Sequence, residues 1–275
     1  MDFQEPVPGV PDAVIRRVSH LPQSLTGGEE VAPNVQTLGG QVLFCVPGAG
    51  SFLVCDGASI DFTQEPDADE GVIQLFLNGT ARGALIHQRG ELPLHAATLV
   101  PPGGGPAVAI CGDSGAGKST LAIELSRRGW LLLADDTTRV TWDGTQAIAW
   151  PSRDTIKLWR DACEAKGLDP ADLKPVMRSM DKYYVRVPAW PDAAPLKLIV
   201  ELGAREAAAT QTPGDKMAMI SRNTYRPGHI RPLGKQHEHV RIVARVASAC
   251  KIAAFPGKGA LPVGVLADGV EELAR

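Results

Sequence analysis

Aromatic residues are few in this chain, 5% of 275, so it offers little for stacking the bases of single-stranded nucleic acid. Positive charge is not in excess either: a net charge of -3 gives no general attraction to nucleic acid or to an anionic membrane. Apolar runs fall short of the roughly 18 residues that a membrane span needs. The opening Met1-Asp2-Phe3-Gln4-Glu5 has neither the basic nor the apolar stretch of a secretory signal. The five cysteines, Cys45, Cys55, Cys111, Cys163 and Cys250, are odd in number, widely spaced and without a C-x-x-C pair. They make neither a disulfide framework nor a zinc site. These absences together point to the reducing cytoplasm, with neither nucleic acid nor membrane as partner.

With 44% hydrophobic residues the chain can bury a sizeable core, in one large domain or two small ones. Residues 1–40 are dense in Pro and Gly and show little periodicity, which predicts loop with room for one strand. From Gln41 to Phe62, the runs Val42–Val46, Phe52–Cys55 and Ser59–Phe62 alternate with Pro47-Gly48 and Asp56-Gly57, predicting a small antiparallel sheet. In Gly71–Arg89, Ile73, Leu75, Phe76, Ala81, Leu85 and Ile86 recur at helical intervals. Beyond Leu92, Leu94–Val100 and Ala107–Cys111 read as strands joined by the turn Pro101-Pro102-Gly103-Gly104-Gly105. Lys118–Arg128 reads as a helix with Leu121, Ala122 and Leu125 on one face, and Gly129 stops it. Trp130–Ala134 is a short continuous apolar run, as expected of a buried parallel strand. Strand, Gly-rich loop, helix and strand form a βαβ unit.

The loop of that unit, Gly112-Asp113-Ser114-Gly115-Ala116-Gly117-Lys118-Ser119, matches G-x-x-x-x-G-K-S in full, followed by Thr120. A chance match in a chain of this length is on the order of 1% from average residue frequencies. Its glycines let the backbone curl so that successive N–H groups bind phosphate oxygens, and the helix N-terminus adds partial positive charge. Lys118 would reach the β- and γ-phosphates of ATP, and the Ser119 hydroxyl would ligate Mg²⁺. Asp135-Asp136 follow the next apolar run, at the strand end where parallel α/β sheets bind ligands. One carboxylate can hold the metal, directly or through water, and the other can accept the proton of an attacking hydroxyl.

Weaker signals come from Lys216 to Lys251, where eight Lys/Arg stand against a single acid, Glu238. Arg222, Arg226 and Arg231 could meet an anion there, although a solvated basic face explains the excess equally well. Lys182 could stabilise a transferring phosphoryl group or lie on the surface. His237-Glu238-His239 lacks a third ligand, and Cys111 beside the loop fits a small apolar filler.

Three stretches taken in order resemble the HPr kinase/phosphorylase family: Leu94-His95-Ala96-Ala97, then Gly112 to Thr120, then Arg128-Gly129-Trp130-Leu131-Leu132-Leu133-Ala134-Asp135-Asp136. The chain is most similar to that family's compact kinases encoded with lasso-peptide genes, which phosphorylate a serine hydroxyl of a precursor peptide. Gly83–Glu91, Trp150-Pro151-Ser152, Ile156–Trp159 and Pro195–Leu202 extend the resemblance over roughly residues 41–230. By position it assigns the catalytic base to Asp135, a metal contact to Asp136 and the active-site histidine to His95. The downstream Glu-, Arg- and Gly-bearing signature of the bacterial HPr enzymes is missing after Val140, which puts phosphorolysis in doubt.

The expectation is thus an α/β fold: a P-loop nucleotide-binding domain of the HPr-kinase type over 91–275, behind a small β-rich segment and helix over 1–90. Expected cofactors are ATP and Mg²⁺, the latter on Ser119 and Asp136, with Asp135, His95 and Lys118 catalytic. The acceptor is a peptide or small hydroxyl-bearing substrate, and a homo-oligomer is compatible. A P-loop ATPase switch, a nucleotide-sensing module and a small-molecule hydroxyl kinase remain as alternatives.

Overall fold

The computed structural model describes residues 4–203 and 212–275. Met1, Asp2 and Phe3, at the start of the expected opening loop, lie outside it. Packing divides the chain into two units. One comprises residues 1–91, 175–181 and 226–240; the other comprises 92–174, 182–225 and 241–275.

The first unit is built on strands β1 (Gln4–Val7), β2 (Val10–Arg17), β3 (Glu29–Ala32), β4 (Val35–Leu38), β5 (Gln41–Val46), β6 (Gly50–Cys55) and β7 (Ser59–Phe62). They form one sheet in the order β1-β2-β7-β6-β5-β4-β3, antiparallel except where β2 meets β7. The expected three-strand sheet is therefore the middle of a larger one, and much of residues 1–40 is strand rather than loop. Their Pro and Gly mark hairpin corners: Gly9, Asn34 and Gly39 all have positive φ. The helical stretch after the sheet is continuous but changes pitch. Helix α1 (Glu70–Phe76) passes through a π-turn at Leu77–Ala81 into α2 (Arg82–Gln88). The Asp69 carboxylate caps α1 by accepting the Gly71 N–H. Ile73, Leu77, Leu85 and Ile86 pack with Phe44, Phe52, Ile60 and Phe62 in this unit's core, where the Phe44 and Phe52 rings stack 4.8 Å apart.

The second unit is built mainly from the elements that follow: β8 (Leu92–Leu94), β9 (Ala96–Val100), β10 (Ala107–Gly112), α3 (Lys118–Arg127), β11 (Leu131–Ala134), β12 (Thr138–Trp142), β13 (Ala147–Trp150) and β14 (Thr155–Trp159). Then come α4 (Arg160–Ala165), β15 (Lys174–Met177), β16 (Met180–Arg186), β17 (Ala194–Leu202), α5 (Pro213–Arg222), α6 (Gln236–Ala249), β18 (Lys251–Phe255) and α7 (Val263–Ala274). The main sheet runs β11-β9-β10-β17-β13-β12-β8, with β18 also on β17. Alternation along β10 explains its two cores. Ala107, Ala109 and Cys111 face a cluster with Met219, Ile220, Val243 and Val246 of α5 and α6. Val108 and Ile110 face the opposite cluster, with Leu121 and Leu125 of α3 and Leu266 and Val270 of α7.

The βαβ expectation needs correction. Strand β11 does run in the same direction as β10, but it pairs antiparallel with β9, which the hairpin inserts between the two. A continuous apolar run reports burial on both faces and says nothing about the direction of the neighbour. The expected strand Leu94–Val100 is also interrupted, at His95, where the chain leaves β12 and joins β10. Among the described residues no helix is long and apolar enough to cross a membrane.

Candidate functional site

The Gly112–Ser119 loop leaves the end of β10 and enters α3. Gly112, Gly115 and Gly117 have φ of 136°, 87° and 105°, with ordinary backbone between them. Positive-φ glycines interspersed with residues of negative φ can turn backbone N–H groups toward one side, as in an anion nest. Gly112 is also fixed sterically: a Cβ there would stand 2.5 Å from the Leu202 carbonyl oxygen. The Lys118 ammonium folds over the loop and donates to the Gly112 and Asp113 carbonyls, at 2.6 and 3.1 Å. Burial lowers its pKa, and only partly do Asp136 and Asp135 restore it.

Opposite the loop, β11 ends in a turn closed by the Thr137 N–H to the Asp135 carbonyl at 2.8 Å. Asp136 sits at its centre with φ 68°, a conformation Asp tolerates better than most residues and one that recurs at functional sites. The two adjacent carboxylates meet different fates. Burial pushes the pKa of Asp135 up to about 6 and the Asp136 charge adds to it, while Lys157 opposes. Burial also penalises Asp136, but the Lys157 ammonium 2.5 Å away, with His95 and Lys182 adding to it, brings the pKa down to about 2. The Asp135 carboxylate in turn accepts the Lys157 backbone N–H at 3.0 Å.

His95 lies at the β8–β9 break, its Nδ1 2.8 Å from the Asp136 carbonyl. A carbonyl only accepts, so Nδ1 carries the hydrogen and Nε2 remains an acceptor. Burial first, then the Lys118 charge, lower the His95 pKa and favour this neutral form. Beneath the loop, the buried Asn223 side chain accepts the Gly112 N–H at 3.0 Å and donates to Glu201 at 2.8 Å. Its backbone carbonyl accepts the His95 N–H at 2.7 Å. One residue thereby ties the start of the loop to the histidine.

His95, Ser114, Gly115, Gly117, Lys118, Ser119, Thr120, Asp135 and Asp136 line one cavity. Gly112, Asp113 and Ala116 complete the loop without lining it. Sequence reasoning missed six lining residues, Lys157, Leu158, Trp159, Asp161, Ala162 and Lys258, and left Lys182 undecided. Alternation in β14 was the available signal: Ile156 and Leu158 are buried in the core, which leaves Thr155, Lys157 and Trp159 on the other face. Lys258 carried none, because its place follows from its backbone N–H bonding the Ala116 carbonyl at 3.0 Å. Arg222 does not line this cavity. It pairs with Glu201, its Nε 2.7 Å from the carboxylate. Arg226 and Arg231 belong to the first unit and do not line this cavity. His237, Glu238 and His239 lie on helix α6, with Glu238 3.6 Å from Lys235. Cys111 is a buried core residue whose thiol pKa is raised by burial.

The lining carries four lysines and three aspartates. Asp136 pairs with Lys157, and Asp161 with Lys258 at 3.3 Å, while Lys118 and Lys182 have no ion-pair partner among the described residues. Among the described residues no three His, Cys, Asp or Glu side chains are grouped to hold a metal by themselves. The donor set, a nest of N–H groups, a hydroxyl and a carboxylate pair, suits a divalent ion that arrives on a polyphosphate.

No family model matches the chain, nor does any curated protein. Among solved structures it is similar to the Hpr(Ser) kinase/phosphatase from Coxiella burnetii, at 16% identity, over 66% of this chain and 89% of that one. The TM-score of 0.37 is too low for that likeness to support the assignment of any residue.

Proposed function

We propose that this chain is an ATP-dependent kinase that transfers the γ-phosphoryl group to a hydroxyl. The observation behind this is a single cavity that joins the G-x-x-x-x-G-K-S loop to a carboxylate whose pKa, about 6, suits a base working near neutrality. The loop N–H groups and Lys118 would hold the phosphates, and the Ser119 hydroxyl would ligate Mg²⁺ with Asp136 nearby. Mg²⁺, when bound, would supply charge neutralisation to the phosphates. Asp135 orients the acceptor hydroxyl and takes its proton. The acceptor oxygen bonds to the γ-phosphorus, the bond from that phosphorus to the β-bridging oxygen breaks, and ADP leaves with the bond's electron pair. Lys182, without an ion-pair partner among the described residues, faces the same cavity and can stabilise the charge on the transferring group.

For the acceptor we propose a serine of a ribosomally made precursor peptide, of the lasso type; its support is the sequence resemblance. Incubation with γ-labelled ATP and a serine-peptide pool, followed by mass spectrometry, tests both levels. A peptide gaining one phosphate supports the full proposal, and label found on a small hydroxyl compound retains only the kinase. Release of free phosphate alone refutes transfer.

A further inference from the structure

Lys157 meets both carboxylates of the turn with different parts of itself. Its backbone N–H holds Asp135 at 3.0 Å, and its ammonium, 16% exposed at the side chain, lies 2.5 Å from Asp136. Burial of Ile156 and Leu158 on either side fixes the backbone from which the lysine reaches into the cavity. The same Asp136 carboxylate stands 3.6 Å from His95 Nδ1. A divalent ion binding the Asp136 oxygen that Lys157 holds would have to displace that ammonium. Lys182 lines the same cavity and has no ion-pair partner among the described residues, so the site already holds a cation for the phosphates besides Lys118.

We infer that the Lys157 ammonium is the fixed second cation of the site, so that Asp136 positions Lys157 and His95 and only one divalent ion accompanies the nucleotide. This rests on the kinase assignment. A fixed ammonium would do part of the work of a two-metal clamp, with no reorganisation when charge shifts toward the leaving oxygen. Asp136 then reaches the metal through water at most.

The test is the Mn²⁺ stoichiometry of the full chain with a non-hydrolysable ATP analogue, read by electron paramagnetic resonance. One Mn²⁺ per bound nucleotide is expected. Asp136→Asn should hold Mn²⁺ within about tenfold of the unaltered chain, the lower bound for losing an indirect contact. Lys157→Met should bind the analogue but lose turnover by roughly 100-fold or more. Two Mn²⁺ per nucleotide, or Mn²⁺ binding by folded Asp136→Asn weakened far beyond about 100-fold, would overturn the inference and leave the kinase standing. A folded chain that takes up no nucleotide refutes the kinase assignment itself. If Lys157→Met fails to fold, the stoichiometry and Asp136→Asn still decide.

Discussion

Replacing Asp135 by Asn should make the second unit more stable and nearly inactive. The Asp135 pKa is raised from 3.8 to about 6, chiefly by burial. Its folded state therefore binds the proton more tightly than the unfolded chain does, and ionising it costs stability. That cost is absent below about pH 4, grows from there, and is complete above about pH 6. A rise of that size corresponds to about 3 kcal/mol. Because the side chain is partly open to the cavity, solvent screening reduces this to about 1–3 kcal/mol. Asn keeps an acceptor for the Lys157 N–H now 3.0 Å from Asp135 Oδ2, so the turn should hold. Urea unfolding at about pH 8 should show the gain, and at about pH 4 the variant and parent should converge. Turnover should fall by about 10²- to 10⁴-fold through loss of the base. A variant no more stable at about pH 8, or one that keeps turnover within about tenfold, would refute this reasoning.

Three further outcomes are expected. The rate of transfer should fall on an acidic limb near about pH 6, where Asp135 takes up its proton; a limb near about pH 4 would place the base elsewhere. Gly112→Ala should destabilise by about 1–3 kcal/mol, because its Cβ meets the Leu202 carbonyl at 2.5 Å at a φ of 136°. Gly117→Ala, with nothing nearer than 3.7 Å, should cost less, and denaturant melts of both variants check the order. Asn223→Asp puts a carboxylate 2.8 Å from Glu201 and removes a donor, so it should destabilise by about 1–3 kcal/mol near about pH 8. It should recover as pH falls and one carboxyl protonates, a trend that melts at several pH values would follow.

Much of the site is legible in the chain because its parts are contiguous. Eight residues from Gly112 to Ser119 specify their own curl, and Asp135-Asp136 follow an apolar run whose end is a ligand position. What is not legible depends on contacts distant in sequence. Lys157 acquires its meaning only when the turn at Asp136 reaches β14, and Asn223 lies 111 residues from the N–H it accepts. Arg222 illustrates the converse: a cation in a basic stretch looks available for an anion, yet Glu201 holds it. In the fold, Pro and Gly density in residues 1–40 reads as loop because turns dominate the pattern of very short strands. The hairpin of β9 and β10 is legible, but the place of β9 between β10 and β11 is not, since apolar runs do not encode the direction of their neighbours.

Calorimetric titration of ATP into the folded chain, with and without Mg²⁺, bears most directly on the cavity as a triphosphate site. One saturable Mg²⁺-dependent site is expected, weakened at least about tenfold in Lys118→Ala, which lacks the ammonium over the loop. No binding by the folded parent, or binding indifferent to that substitution, would contradict the account.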